Sequence, residues 1–245
     1  MSDEHRHSRS RRRLLGGAAA LAGLTVAPGV FLVHARPAAA GDGGRAVRWG
    51  LLVDAGRCRA GCEACVAACR EENGWHGRGE DPGAAQWIRK VTLRRDRGPS
   101  RTLPVMCQHC AAPPCAKVCP VGASFKRDDG IVLVDKHRCI GCRYCIMACP
   151  FQARFFAHEP IDTEPGDYPR GRGTAESCTL CVHRIDRGER PACVERCARE
   201  GGGALVFGDL NDPGSEIARR LAAHGGEAVR ADLELDPGVR YQGIS

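Results

Sequence analysis

The sequence predicts an α+β fold in which one cysteine-bearing unit is present twice, and three observations carry that prediction. All sixteen cysteines of the 245 residues sort into four groups of four. The segment "VDAGRC" at 53–58 returns as "VDKHRC" at 134–139, each behind an apolar run, "WGLLV" or "GIVLV", that reads as a short buried strand. The groups also alternate in spacing: the first resembles the third and the second the fourth, giving the order A, B, A′, B′.

The chain opens with Ser10-Arg11-Arg12-Arg13-Leu14-Leu15, then "GGAAALAGLTVAPGVFLV" and "HARPAAAGDGG". A basic start, an apolar run and a small-residue stop at Ala38-Ala39-Ala40 are the parts of a removable leader, here of twin-arginine type, over residues 1–40. An uncleaved anchor is the alternative, since about 18 apolar residues can span a bilayer. Such an export route carries proteins that fold and take up cofactors first. The expectation is therefore a periplasmic protein whose cysteines leave the cytoplasm already occupied by metal, and not as disulfides.

Group one is Cys58, Cys62, Cys65 and Cys69, and group two is Cys107, Cys110, Cys115 and Cys119. Group three is Cys139, Cys142, Cys145 and Cys149, and group four is Cys178, Cys181, Cys193 and Cys197. The third, in "RCIGCRYCIMACP", decides the chemistry. A disulfide joins Cα atoms within about 7 Å on facing segments, whereas C-x2-C-x2-C curls one backbone around a single centre. Zinc usually takes two separated C-x2-C pairs, so a further thiol after two residues is redundant for one tetrahedral ion. C-x2-C-x2-C-x3-C-P is the bacterial ferredoxin run, in which three thiolates hold one 4Fe-4S cube and the fourth reaches another. Four groups thus predict four 4Fe-4S clusters with the sixteen cysteines as iron ligands.

The first group differs from the third by one extra residue between Cys58 and Cys62, and neither Cys69 nor Cys197 is followed by proline. Groups two and four read C-x2-C-x4-C-x3-C and C-x2-C-x11-C-x3-C, each with a proline, Pro114 or Pro191, shortly before the third cysteine. One A and one B make a two-cluster ferredoxin half, and the chain holds two. Short paired strands with small helices after each cysteine run complete a duplicated bacterial-ferredoxin-like fold. Beyond Phe207 the cysteines stop. Residues 208–245 read as a helix capped at Asp212, with Ile217 and Leu221 on its face, and an extended tail, packed on the outside or on a partner.

Aromatic residues make up 5% of the chain and glycine supplies 31 positions, so bulky core material is scarce. Metal–ligand bonds then supply much of the folding energy. The formal net charge is +7, but residues 1–40 hold six Arg against Asp3 and Glu4, which is +4 and leaves +3. Four oxidised cubes add about −2 apiece, for about −5 in all. The basic sequence is no argument for nucleic acid. Arg94, Arg95, Arg97 and Arg101 read as a solvated face. Inside the ligand loops His109, Arg143, Tyr144 and Arg57 are the candidates for tuning potentials. His109 reads as a satisfied loop histidine, Tyr144 as packing or coupling, and His183 as a surface or partner-facing side chain.

On these four groups, spanning residues 47–207, the chain resembles the four-cluster electron-transfer subunits of dimethyl sulfoxide, polysulfide, tetrathionate and nitrite reductases. The resemblance implies a nested arrangement. One outer cube would take Cys58, Cys62, Cys65 and Cys197, and its neighbour Cys178, Cys181, Cys193 and Cys69. The inner cubes would take Cys107, Cys110, Cys115 with Cys149, and Cys139, Cys142, Cys145 with Cys119. The inner pair would occupy about 105–157, and the outer pair 47–104 with 158–207. Further segments, "QWIRKV", "PVMCQHCAAPPC", "GASFKRDDGIVLVDKHRCIGCRYC", "ESCTLCVHRID", "FGDLNDP" and "LDPGVRYQG", resemble the DsrO type, the periplasmic iron-sulfur subunits of the sulfite-reduction-associated DsrMKJOP membrane complexes. That implies an integral membrane, quinone-interacting partner of DsrP/NrfD kind, a multihaem cytochrome c, the other Dsr subunits, and a role in dissimilatory sulfur metabolism. The runner-up is the electron-transfer subunit of a molybdopterin oxidoreductase. Either way the expectation is an electron carrier and not a catalyst. Substrate chemistry at a cube normally needs an iron with three protein ligands, and every group here has four cysteines.

Overall fold

The computed structural model describes residues 46–75, 84–94, 100–158, 161 and 170–244. The leader read in residues 1–40 lies outside them, as do Arg95 and Arg97. In chain order the elements are β1 (Trp49–Asp54), α1 (Ala64–Asn73), β2 (Ile88–Leu93), β3 (Arg101–Met106), α2 (Pro114–Lys117), β4 (Ser124–Lys126) and β5 (Val132–Val134). They continue as α3 (Tyr144–Met147), β6 (Phe155–Phe156), β7 (Ala175–Glu176), α4 (Val182–Ile185) and α5 (Ala192–Glu200). The last are β8 (Leu205–Asp209), α6 (Glu216–His224), a 3-10 turn at Ala231–Leu233, and β9 (Val239–Gln242). No helix among the described residues is long and apolar enough to cross a membrane.

The apolar run before Cys58 becomes β1, the centre of a three-stranded sheet, antiparallel to β8 and parallel to β9. Leu51, Leu52 and Val53 are all buried because both faces of the sheet are covered. The two-residue period of a strand sends Leu51 and Val53 into a core with Trp75, Trp87, Val194 and Tyr241. Leu52 points the other way, against Val206 of β8 and against Ile217 and Leu221 of the C-terminal helix. Gly50 is required by packing: a Cβ there would stand 2.5 Å from Leu210 Cγ and 2.8 Å from the Gly238 carbonyl oxygen.

The C-terminal forty residues differ from the sequence reading in two respects. Ser215, not Asp212, caps α6: its Oγ accepts from the Ala218 N–H at 3.2 Å. The Asp212 carboxylate is engaged one turn earlier, accepting from the Gly214 N–H at 2.8 Å, so Pro213-Gly214 form a turn before the helix can begin. The tail is also not a peripheral extension. It returns as β9 beside β1, with Val239 and Tyr241 buried. On the way it ties down the second cysteine loop. Gly238 N–H donates to the Gln108 carbonyl at 2.8 Å, and Ala111 N–H to that of Leu235 at 3.0 Å. Gln108 Nε2 donates to the Tyr241 hydroxyl at 3.1 Å.

The remaining strands form antiparallel ladders, β2–β3, β4–β5 and β6–β7. The repeated hexapeptide has a repeated geometry. The Asp54 carboxylate accepts from the N–H groups of Gly56 and Arg57 at 3.0 and 3.3 Å, and Cys58 N–H donates to the Asp54 carbonyl at 3.1 Å. At the second copy the Asp135 carboxylate accepts from His137 and Arg138 at 2.9 and 3.3 Å, and Cys139 N–H donates to the Asp135 carbonyl at 3.1 Å. An aspartate turn thus delivers the first cysteine from the end of β1 and again from the end of β5.

Replacing Tyr241 by Ala removes a buried ring and leaves Gln108 without its side-chain partner. The expected result is an apparent melting temperature lowered by about 10 °C, read by loss of visible absorbance on heating.

Candidate metal centre

Each cysteine loop turns at the same place. The residue immediately before the second cysteine is left-handed in all four: Gly61 (φ 74), His109 (φ 44), Gly141 (φ 72) and Leu180 (φ 55). Glycine adopts this region at little cost, whereas a leucine there is held by its surroundings. Arg143 and Cys181 follow with φ 64 and 52. Left-handed residues bend the chain sharply, and at Leu180-Cys181 two of them are consecutive. The amides do reach sulfur. Ser124 N–H donates to Cys119 Sγ, Ala175 N–H to Cys139 Sγ and Leu180 N–H to Cys178 Sγ, each at 3.4 Å, and Ala153 N–H donates to Cys149 Sγ at 3.5 Å.

Helix length then separates the groups in pairs. Pro120 and Pro150 follow the fourth cysteines of groups two and three, and α2 and α3 are held to 4 residues. Cys69 and Cys197 lack that proline, so α1 and α5 run on to 10 and 9 residues. Cys65 and Cys69 thereby sit one turn apart on α1, as Cys193 and Cys197 do on α5. The ion pair from Arg196 to Glu71, at 2.5 Å, ties these two helices together.

The sulfurs meet across groups. Burial pushes the Cys65 thiol up to about 12; the Lys90 ammonium opposes this, and Cys197, Cys58 and Cys62 add to it. Cys69, Cys178, Cys181 and Cys193 line a single enclosed cavity with Asn73, Trp87 and Met106. Burial raises both Cys107 and Cys110 to about 12, and Cys115 and Cys149 add to the rise in each. Cys119, Cys139, Cys142 and Cys145 line another cavity with Ser124, Val134 and Ala175. Cys142 is the exposed member of the last set, and the neighbouring Ile140, Tyr144 and Met147 are 65%, 61% and 85% exposed.

Among the named tuning residues, none is seen donating to a cysteine sulfur through its side chain. Arg57 is exposed, Tyr144 projects outward, and Arg143 lies over the Phe156 ring at 4.0 Å. His109 is only half satisfied: Nδ1 accepts from the Val132 N–H at 3.0 Å, while the buried Nε2 has no partner among the described residues. His183 is not a free surface group, since it pairs with Glu72 at 2.8 Å. Sequence reasoning missed the donors that do reach sulfur. Lys90 Nζ lies 3.0 Å from Cys58 Sγ, Trp75 Nε1 3.3 Å from Cys69 Sγ, and Asn73 Nδ2 3.6 Å from the same atom. The signal for two of them was local, in "ENGW" just after Cys69; Lys90 lies on a distant hairpin.

A 4Fe-4S cube fits this donor set. The sixteen cysteines are all free of disulfides. Burial keeps many of the thiols protonated in the absence of a cation, and positive iron offsets that cost while the amide and side-chain donors favour thiolate. A single ion needs its sulfurs about 2.3 Å from one point. Among the described residues no three Cys, His, Asp or Glu side chains converge in a way that could hold one ion.

Known proteins with related sequences agree with this reading. Residues 100–210 match the family described as "4Fe-4S dicluster domain". The chain is 43% identical over 222 residues to the Hdr-like menaquinol oxidoreductase iron-sulfur subunit 1 of Archaeoglobus fulgidus, covering 79% of this chain and 82% of that one. It is 40% identical over 204 residues to the B component of tetrathionate reductase from Salmonella typhimurium, covering 80% and 73%. It is 36% identical over 184 residues to the B component of polysulfide reductase from Wolinella succinogenes, covering 73% and 85%. The cofactors of the chain are four 4Fe-4S clusters.

Two glycines at equivalent turns test the loop geometry. A Cβ on Gly141 would lie 2.6 Å from the Gly173 carbonyl oxygen, whereas one on Gly61 has no neighbour within 4 Å. Gly141→Ala is expected to lose one cube, bringing iron from about sixteen to about twelve per chain, while Gly61→Ala keeps its full complement. Lys90→Met removes a cationic donor from one quartet. One of the four midpoint potentials in a redox titration followed by electron paramagnetic resonance is expected to fall by about 60 mV.

Proposed function

Because the chain belongs to the family of 4Fe-4S electron-transfer subunits of membrane-associated oxidoreductases, we propose that it is the exported, DsrO-type relay of a quinone-coupled complex of dissimilatory sulfur metabolism. Its ligand sets are Cys58, Cys62, Cys65, Cys197; Cys69, Cys178, Cys181, Cys193; Cys107, Cys110, Cys115, Cys149; and Cys119, Cys139, Cys142, Cys145. The observation that carries this assignment is the mutual nearness of those sulfurs, group one with group four and group two with group three. A duplicated ferredoxin layout underlies it, supported by the two matching aspartate turns before Cys58 and Cys139. Each cube supplies one-electron transfer when bound. The chain's part is to hold its thiolates, exclude water and fix donors beside sulfur.

Residues 1–40 direct export in folded form, a reading supported by Arg11-Arg12 and the apolar run behind them. Residues 41–207 carry the clusters, and 208–245 brace them through β9. The quinone link is supported by the relative that has menaquinol oxidoreductase in its name. An integral membrane quinone-interacting subunit and a multihaem cytochrome c are the partners. One of them docks at the quartet of Cys142, a reading supported by the apolar side chains that stand exposed beside that ligand, and the other at the far end of the clusters.

A second reading, the electron-transfer subunit of a molybdopterin oxidoreductase, draws on the 40% identity to the tetrathionate reductase component. Purifying the tagged chain from its own membranes separates the two. About sixteen irons and sixteen acid-labile sulfides per chain are expected, together with covalently bound haem and reoxidation of the reduced clusters by a menaquinone analogue. Molybdenum in place of haem selects the second reading, and recovery without any membrane partner overturns both.

A further inference from the structure

Arg154 is a buried cation with no protein anion beside it. It stands just ahead of β6, 3% exposed, and none of its three guanidinium nitrogens has an oxygen or nitrogen acceptor among the described residues; the acceptor it approaches is the Cys145 sulfur. The backbone around it is fixed, since Arg89 donates to the carbonyls of Gln152 at 2.8 Å and Phe151 at 3.2 Å. The buried carboxylate of Glu176 is engaged elsewhere: Arg170 takes both of its oxygens, at 2.9 and 2.7 Å. What surrounds Arg154 is sulfur. Burial works against its charge, but Cys115, Cys107 and Cys149 of one inner quartet and Cys145 of the other outweigh it. A guanidinium carries five N–H donors in one plane and does not shed its proton.

His109, between Cys107 and Cys110, is a second buried donor in the same region. Its Nδ1 accepts from the Val132 N–H, which leaves the ring proton on Nε2, and that buried donor also lacks a partner among the described residues. Buried N–H donors with no oxygen or nitrogen acceptor, the guanidinium of Arg154 lying among the inner sulfurs, mark the place of a strong acceptor. A merely space-filling arginine would be paired with a carboxylate or a carbonyl.

We propose that Arg154 is a potential-setting residue shared by the two inner cubes, donating from one guanidinium toward the sulfur of both and raising their potentials together. This rests on the ligand sets proposed above. More negative charge collects on a cube when it is reduced, so a fixed neighbouring cation favours the reduced form of each.

The test uses the full chain carrying Arg154→Met and, separately, Arg154→Lys, with iron counted and potentials titrated by electron paramagnetic resonance. In variants retaining all sixteen irons, two of the four midpoint potentials are expected to fall together. Each should move by at least a tenfold change in its one-electron equilibrium constant, about 59 mV, with the other two unmoved and Arg154→Lys shifted less than Arg154→Met. A fall in one potential only, in none, or in all four overturns the shared role. If Arg154→Met does not load, the Arg154→Lys protein is read by the same criteria. A parent protein with fewer than four cubes would instead overturn the ligand sets, which keeps the two failures distinct.

Discussion

The constraint on which the rest of the structure depends is that sulfurs from opposite ends of the chain must meet in a place from which water is excluded. A buried thiol among other sulfurs resists ionisation, and Cys65, Cys107 and Cys110 are all pushed up to about 12. Such a site is unfavourable as bare protein and favourable once positive iron is shared among the sulfurs, so folding and cofactor uptake are one equilibrium. The scarcity of aromatic residues fits this dependence. The core that contains Trp75, Trp87 and Tyr241 also contains Cys65, Cys69 and Cys197 as packing members.

Two devices deliver the sulfurs. Left-handed residues before each second cysteine bend four loops alike, and helices α1 and α5 act as rulers that place consecutive cysteines one turn apart. Cys65 and Cys69 leave the same helix toward different neighbours, Cys197 in one case and Cys178 and Cys181 in the other. One rigid turn thereby sets the spacing between two sulfur neighbourhoods. The electrostatic surroundings of the sulfurs are not uniform. Lys90 stands against Cys58, whereas Cys69 meets only the neutral donors Trp75 and Asn73. A cation and a neutral N–H favour reduction of a neighbouring cluster to different degrees.

Much of this was legible in the sequence, because the information was local. Cysteine spacing, the apolar runs that become β1 and β5, and the Asp that turns the chain into Cys58 and Cys139 are each written within a few residues. Left-handed backbone suits glycine at 61 and 141, whereas nothing in His109 or Leu180 signals it, and none of the four turns is read from the sequence. The tail was illegible for a related reason: four residues of β9 carry little pattern, and their burial comes from pairing with β1 at the other end of the chain. His183 and Lys90 likewise took their roles from distant partners, Glu72 and Cys58.

The nesting of the sulfur neighbourhoods has a consequence for assembly. Cys107, Cys110, Cys115 and Cys149 lie within one stretch, and the ladder β4–β5 that supports them is a short-range hairpin. Cys65 cannot meet Cys197, nor β1 its partners β8 and β9, until the chain is nearly complete. Short-range contacts close before long-range ones, because the entropy of closing a long loop must be met first. The sulfurs of Cys107, Cys110, Cys115 and Cys149 are therefore brought together over shorter loops than those that join Cys65 to Cys197. The final strand, which holds Gln108 through Gly238 and Tyr241, locks an inner loop only when the outer sheet is finished. β1 and β9, far apart in the sequence, thus complete one sheet, and loss of β9 leaves an inner cysteine loop without its brace.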